Sequence, residues 1–494
     1  MFNITNPSAP KKPDNQSASI AIITSACLLL TLFIYRPFGL YFLNDDLIHI
    51  PWSGKGVFLQ QGFLRFAYNV LSFWEIKMFG NSATGFHAIS LLMHLICSYL
   101  VFVLAKQIFT KYAVVGQENI QLLSLLSASF FMVYAFHSES VLWIIGSGSA
   151  MSTIFFLISF ICYFKAEKNS FYFLLSMLFF LIALATYENV WVMPILVWIF
   201  WYADKKKNKN NNRWIYPSIV SFVFLIHLYL RVKLIGQMAS TYETKNVSQF
   251  NILTLILNYN RLVARSLLPP MQSVPIFMIF YGIVIFILLT GMAFLIKKKR
   301  LDILMLVLIG SLLISFLPVI SLGIDTHGTG SERYLYLPSV FLCMLIAYVI
   351  IAWPTVWKNK LTVVIMVVCF NGFYALKSSS DYHLASQLSK NILQQASIKM
   401  AENKLYEIHG LPSMINRVKV LDIGFKEGMA WLYNKDTSMI KEMDDRVEIF
   451  TKKNLTEGVN FTIISESELN NKTAIKVLFD SVQINSKPYI HIND

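Results

Sequence analysis

The sequence predicts an α-helical polytopic membrane protein that ends in a small polar α/β segment, and three observations carry that reading. The 494 residues are 55% hydrophobic and only 14% charged, with a mean hydropathy of +0.54, more apolar surface than one water-soluble core hides. Apolar runs of the length that crosses the hydrocarbon, about 20 residues, recur about eleven times. The segments between them alternate between strongly basic and acidic.

The runs fall near 17–35, 84–106, 120–137, 140–164, 170–186, 189–203, 214–234, 275–296, 301–322, 335–353 and 360–377. The first has Arg36 after it and no small-residue cleavage pattern, so it is expected to remain as an anchor. One set of connecting segments collects Lys11 and Lys12, Lys106 and Lys111, Lys165 and Lys168, Lys205, Lys206, Lys207, Lys209 and Arg213, Lys297 with Arg300, and Lys358 with Lys360. The excess of Lys and Arg makes these cytoplasmic. The opposite set carries Asp45, Asp46, His137, Glu139, Glu188 and the stretch 325–333, and faces outside with everything after Lys377. The net charge of +14 is thereby explained by topology, and no nucleic-acid module is read. All five cysteines lie inside the runs without paired spacing, which makes them small core residues and not disulfides or zinc ligands.

Two outer segments have helical periodicity. In 57–77, Phe63, Phe66, Val70 and Trp74 oppose a polar stripe of Arg65, Asn69 and Ser72. In 251–268, Ile252, Ile256, Tyr259 and Val263 oppose Asn258, Arg261 and Arg265, and Pro269 and Pro270 stop the helix. Together they would roof a cavity around the outer carboxylates. Beyond Lys377 a helical stretch over 382–406 leads into β-branched or apolar runs at 418–423, 447–451, 459–464 and 474–482. The expected organisation is a cytoplasmic tail at 1–16, a membrane unit at 17–377 and an extracytoplasmic α/β domain at 378–494. The membrane part has no internal repeat, which counts against transporters built from repeated halves.

The chemistry is concentrated outside. Asn44-Asp45-Asp46 places adjacent carboxylates where the first span emerges, and ionising both is costly, so the pair suits a general base or a cation holder. A divalent cation is therefore the one cofactor considered, and the metal itself is unknown. A solvated helix start is the plainer alternative. Glu139 sits in a short outer turn beside His137. Glu188 also suits a helix N-terminus, where the dipole favours it, and Arg333 also suits a headgroup anchor. His87 and His94 share a helix face, but their spacing of seven is poor metal geometry and packing is the better account. Asp325 and His327, beside Gly328 and Gly330, make either a substrate gate or a solvated turn.

These residues resemble a known family. Leu43-Asn44-Asp45-Asp46, an amphipathic segment ending Met78-Phe79-Gly80, the run from Gly85 to His94, Phe136-His137-Ser138-Glu139-Ser140, Thr186-Tyr187-Glu188 and Ser331-Glu332-Arg333-Tyr334-Leu335-Tyr336-Leu337-Pro338 resemble the GT-C glycosyltransferases, in particular the protein O-mannosyltransferase-like branch. The resemblance covers about residues 17–377, with the carboxylate loop and the Arg-Tyr-Leu-Tyr-Leu-Pro segment its specific parts. It implies transfer of a sugar from a polyprenyl-phosphate donor at a site on the outer face, with Asp45 or Asp46 as base. The segment after Lys377 does not look like the domains added in eukaryotic relatives, so their protein acceptors are not carried over and a bacterial inner (plasma) membrane suits the chain better; the acceptor, a glycan, lipid or protein, stays open. Glu139, from its place in the outer turn, is read as a further catalytic group. Arg333 is the expected phosphate ligand, Arg261 and Arg265 are alternatives, and His137, Glu188 and Tyr334 are further substrate contacts. A planar guanidinium suits the charge that develops on a departing phosphate. The competing classes are a lipid-linked glycan flippase, whose ionisable groups belong nearer mid-membrane, and a non-catalytic envelope assembly protein, which would not need the carboxylate pair.

Overall fold

The computed structural model describes residues 15–58, 65–113, 116–207, 213–235, 251–271, 273–297, 302–400, 404–449, 461–467 and 472–479. Lys11, Lys12, Phe63, Lys209, Arg300 and the ends of the runs at 447–451, 459–464 and 474–482 lie outside the described residues. The chain is a multi-pass helical membrane protein. The helices are α1 (Asn15–Ile34), α2 (Asp46–Gly54), α3 (Phe66–Phe79), α4 (Ala83–Tyr112), α5 (Gln117–Met132), α6 (Ser138–Leu142), α7 (Gly148–Lys165), α8 (Phe171–Leu184), α9 (Met193–Lys207), α10 (Ile215–Ile235), α11 (Ile252–Arg265), α12 (Val274–Lys297), α13 (Ile303–Ile314), α14 (Tyr336–Ala352), α15 (Trp357–Lys399) and α16 (Phe425–Tyr433).

Among the described residues five helices are long and apolar enough to cross a membrane, or six if Asn119–Met132 and Ala135–Leu142, bent by 53°, form one broken span. Four more apolar helices are shorter. The eleven runs are therefore not matched one for one by full-length spans. One reason is visible at Ala135–His137 and Glu188–Val192, where 3₁₀ turns break or shorten the helices.

Helices α4, α5, α7, α13 and α14 pack around one apolar core. At one end of this bundle Lys111 meets Asp204 and Glu167, and Lys207 donates to the Lys111 carbonyl. Carboxylates and arginines gather at the other end. The two amphipathic segments lie there with most of their polar stripes turned inward, Arg261 excepted. In α3, Tyr68, Asn69, Ser72 and Glu75 are buried while Phe66, Trp74 and Met78 are exposed. In α11, Asn258, Leu262 and Arg265 are buried and Ile252 and Ile256 exposed. That is the polarity of helices whose apolar side meets lipid.

The helix read from 382 onward is the continuation of the last membrane helix. α15 runs unbroken for 43 residues, so the change of composition at Lys377 falls inside one element. Its polar half holds the first outer loop, as Ser379, Ser386 and Ser389 donate to the carbonyls of Ile34, Tyr41 and Phe42. Beyond it lie β1 (Leu405–His409), β2 (Pro412–Ile415), β3 (Val418–Lys419), β4 (Ile440–Glu442), β5 (Val447–Ile449), β6 (Phe461–Ser467) and β7 (Lys472–Phe479). They form a mixed sheet ordered β4-β1-β7-β6 and a smaller one ordered β3-β2-β5. Their apolar residues and the first outer loop share one core, in which Phe42, Leu43 and Leu47 join Leu393, Ile408, Leu421, Phe425 and Met429. The C-terminal unit is thus built onto the loop that carries the carboxylates.

Four of the five cysteines are buried, Cys369 is exposed, and all are free thiols.

Candidate active site

A cavity of about 570 Å³ opens between the C-terminal unit and the helix ends opposite Lys111. Asp45, Glu139, Glu188, Arg333 and Tyr334, all singled out from the sequence, line it. So do Asn44, His49, Arg65, Trp143, Tyr187, Tyr382, Lys419 and Asp422, which were not placed in the site.

The structure separates the two carboxylates. Asp46 opens α2 and is fully buried, and its oxygens accept the backbone N–H of Leu43 at 3.1 Å and of Ile145 at 3.0 Å. Burial holds its pKa well above the ordinary carboxylate value; those two hydrogen bonds pull it back and the neighbouring Asp45 charge pushes it up. Asp46 does not line the cavity. It ties the first outer loop to the turn before α7. Asp45 is half-buried on the cavity wall, and its Oδ1 accepts the Asn44 amide at 2.7 Å.

Glu139 and Arg333 form a single device. The Glu139 carboxylate accepts the backbone N–H of Ser331 (3.1 Å) and of Arg333 (2.6 Å), and pairs with Arg333 Nη1 at 2.8 Å. Ser331 is left-handed at φ 71°, which turns the chain so that these donors converge. A Cβ on Gly146 would stand 2.2 Å from the Glu139 carbonyl, so only glycine fits behind this turn. Arg333 Nε donates to Tyr187 Oη at 3.0 Å, and its guanidinium lies 5.1 Å from the Trp143 ring centre. With its oxygens committed, Glu139 orients Arg333.

A second guanidinium, Arg65, lies 4.5 Å over the Tyr187 ring and 3.8 Å from Glu188. Glu188 is bridged from behind by the buried Arg231 at 2.8 Å. Burial alone would raise the Glu188 pKa, but Arg65 and Arg231 outweigh it and hold the carboxyl below its usual value. Tyr187 thus stands between two cations.

Three sequence candidates lie elsewhere. Arg265 is fully buried; it donates to the carbonyls of Asp325 and Leu268 and pairs with the equally buried Glu332 at 2.5 Å. It is committed to structure and does not line the cavity. Arg261, four residues earlier on the same helix, is exposed and does not line it either. His137 is a core residue, with Nε2 at 2.8 Å from Ser339 Oγ and its ring packed on His94, Phe131 and Tyr336. His94 is likewise satisfied, by Tyr336 Oη and the Met132 carbonyl. Breaking the Arg265–Glu332 pair leaves one buried charge unmatched, so Arg265→Ala is expected to cost about 3–5 kcal/mol of stability. Thermal unfolding in detergent checks this, and an unchanged melting temperature would exclude the structural role.

The cation expectation finds no support at Asp45 and Asp46, since both Asp46 oxygens are taken by backbone donors and face away from the cavity. Among the described residues no group of three or more His, Cys, Asp or Glu is arranged to hold a metal ion. The loop of Asp325 and His327 is a turn in which Asp325 accepts the His327 N–H, and Thr329 just beyond it bonds the Arg417 carbonyl of the C-terminal unit.

The missed residues carried unequal signals. Tyr187 stood in a quoted segment and Arg65 in a polar stripe, whereas nothing in the local sequence marks Lys419 or Asp422.

No protein-family model matches the chain. A protein O-mannosyl-transferase of Caenorhabditis elegans is 23% identical over 327 residues, covering 60% of this chain, and the chain spans only 44% of that relative. Two crystal structures of ArnT from Cupriavidus metallidurans are also similar, one bound to undecaprenyl phosphate and one in the apo state. Each aligns with a TM-score of 0.45, at 9% and 8% identity, covering 95% and 96% of this chain and all of the other. The chain is therefore similar to proteins of the glycosyltransferase kind that its carboxylate loop and Arg-Tyr-Leu-Tyr-Leu-Pro segment resemble.

Proposed function

We propose that this protein is a membrane glycosyltransferase that moves a sugar from a polyprenyl-phosphate donor to an acceptor hydroxyl on the outer face. The observation that carries the reading is the meeting of Asp45 and Arg333 on the wall of one cavity at the ends of membrane helices. Asp45 takes the proton of the acceptor hydroxyl as its oxygen bonds to the sugar C1. The C1–O bond to phosphate breaks, and the polyprenyl phosphate leaves with the electron pair. Arg333, held by Glu139 and Tyr187, meets the charge on that phosphate, and Arg65 stands over the Tyr187 ring. The lipid tail remains in the bilayer, beside the exposed apolar faces of α3 and α11. Asp46 and Glu139 support these groups without touching substrate.

The reading is tested with purified protein in liposomes, supplied with a set of polyprenyl-phosphate sugars and with glycan, lipid and peptide acceptors. The expected result is sugar transfer with release of polyprenyl phosphate. Release of no polyprenyl phosphate from any donor, by protein that binds that lipid, would return the flippase reading. The sidedness is checked with reporters fused after Lys207 and within the C-terminal unit. Cytoplasmic signal is expected from the first alone, and a cytoplasmic signal from the second would reverse the orientation.

A further inference from the structure

We propose that Asn44 is a positioning residue through which the C-terminal α/β unit orients the Asp45 carboxylate. This rests on the reading of Asp45 as the base. Asn44 is buried on a wall built by two parts of the chain nearly 400 residues apart. Its backbone N–H donates to the Val420 carbonyl at 2.9 Å, its Oδ1 accepts the Ile423 N–H at 2.9 Å, and its Nδ2 donates to Asp45 Oδ1 at 2.7 Å. The direction of the side chain is settled by its partners. A backbone N–H can only donate, so the amide oxygen must face Ile423 and the NH₂ must face Asp45. One planar group thus links the C-terminal backbone to the carboxylate.

The geometry is specific to this residue type. Asn44 has φ 46°, a left-handed conformation that asparagine tolerates and most side chains do not. A β-branched residue here would be strained, and an aspartate would set a second acceptor against Asp45 where a donor stands now. The contact from the C-terminal side is equally close. Gly424 is at φ 87°, and a Cβ there would lie 2.6 Å from the Asn44 carbonyl oxygen. Gly428 of α16 likewise admits Leu47, three residues after Asn44. The first outer loop is therefore seated on the C-terminal unit at the point where its carboxylate enters the cavity.

The test is a double-mutant cycle on transfer. Asn44→Gly keeps the left-handed backbone and removes the amide, and Asn44→Asp keeps the acceptor for Ile423 while losing the donor to Asp45. Each is measured alone and in the Asp45→Asn background, with polyprenyl phosphate binding as the check on fold. Both are expected to lower kcat about tenfold or more in the otherwise native protein with binding unchanged, and less than about twofold in the Asp45→Asn background, because a group acting through Asp45 has nothing left to orient. Gly424→Ala should show the same pattern from the other side. Equal losses in both backgrounds, or no loss with Asp45 present, would overturn the proposal. Full activity of Asp45→Asn itself would instead remove the base assignment, and the coupling with it.

Discussion

Asp45→Asn is expected to lower sugar transfer about a hundredfold or more, because the acceptor hydroxyl then keeps its proton as it approaches the sugar. Asp46→Asn is expected to behave differently. Both of its oxygens accept backbone N–H groups, so the variant sets an amide NH₂ against one of them and leaves that buried donor unmatched. The cost is about 1–3 kcal/mol of stability, read as a lower melting temperature. Well below that temperature the rate should be closer to native than in Asp45→Asn. The measurement is kcat with a lipid-linked donor alongside thermal unfolding for both variants. A protein in which Asp46→Asn is the inactive and thermally normal variant would exchange the two roles.

Arg333→Ala is the second large effect expected, a loss of about a hundredfold in transfer, comparable to removing a positioned donor from a developing oxyanion. Two consequences separate this from membrane anchoring. Arg333→Lys should recover only part of the rate, since a point charge does not reproduce the planar fork that reaches Glu139 and Tyr187 together. Glu139→Gln should move in the same direction as Arg333→Ala but less far, because it removes the charge that holds the guanidinium and leaves the guanidinium present. Donor dependence at saturating acceptor, with binding of polyprenyl phosphate measured separately, reads all three. Native donor kinetics in Arg333→Ala would transfer the phosphate contact to Arg65, which stands over the Tyr187 ring. Arg261 and Arg265 are worse placed for that contact, the one exposed outside the cavity and the other buried against Glu332.

The difference between these arginines shows why part of the site was illegible. Arg261, Arg265 and Arg333 are equivalent as residue types at outer helix ends, and what distinguishes them is the partner each meets. Arg333 meets Glu139, 194 positions away, and Arg265 meets Glu332, 67 away. His137 stands in one quoted segment with Glu139, yet it closes the 3₁₀ turn Ala135–His137 with its ring in the aromatic core, while Glu139, in α6, meets Arg333. Glu188 was read as a helix-start charge or a substrate contact, and it is a bridge between Arg65 and Arg231 that borders the cavity.

The sequence by itself determined the helical membrane class, the two amphipathic outer helices and the segments from which the cavity is made. Hydropathy, periodicity and charge are local properties, and a membrane allows few alternatives to helices wherever a long apolar run occurs. Only the tertiary structure decided which of two consecutive carboxylates faces the cavity. Asp45 and Asp46 are chemically alike, and their difference lies in the backbone N–H of Ile145 behind one and in the Asn44 amide, fixed by Ile423, beside the other. The Ile145 and Ile423 donors are ordinary backbone groups of apolar residues, which carry no mark in a sequence until the chain has folded around them.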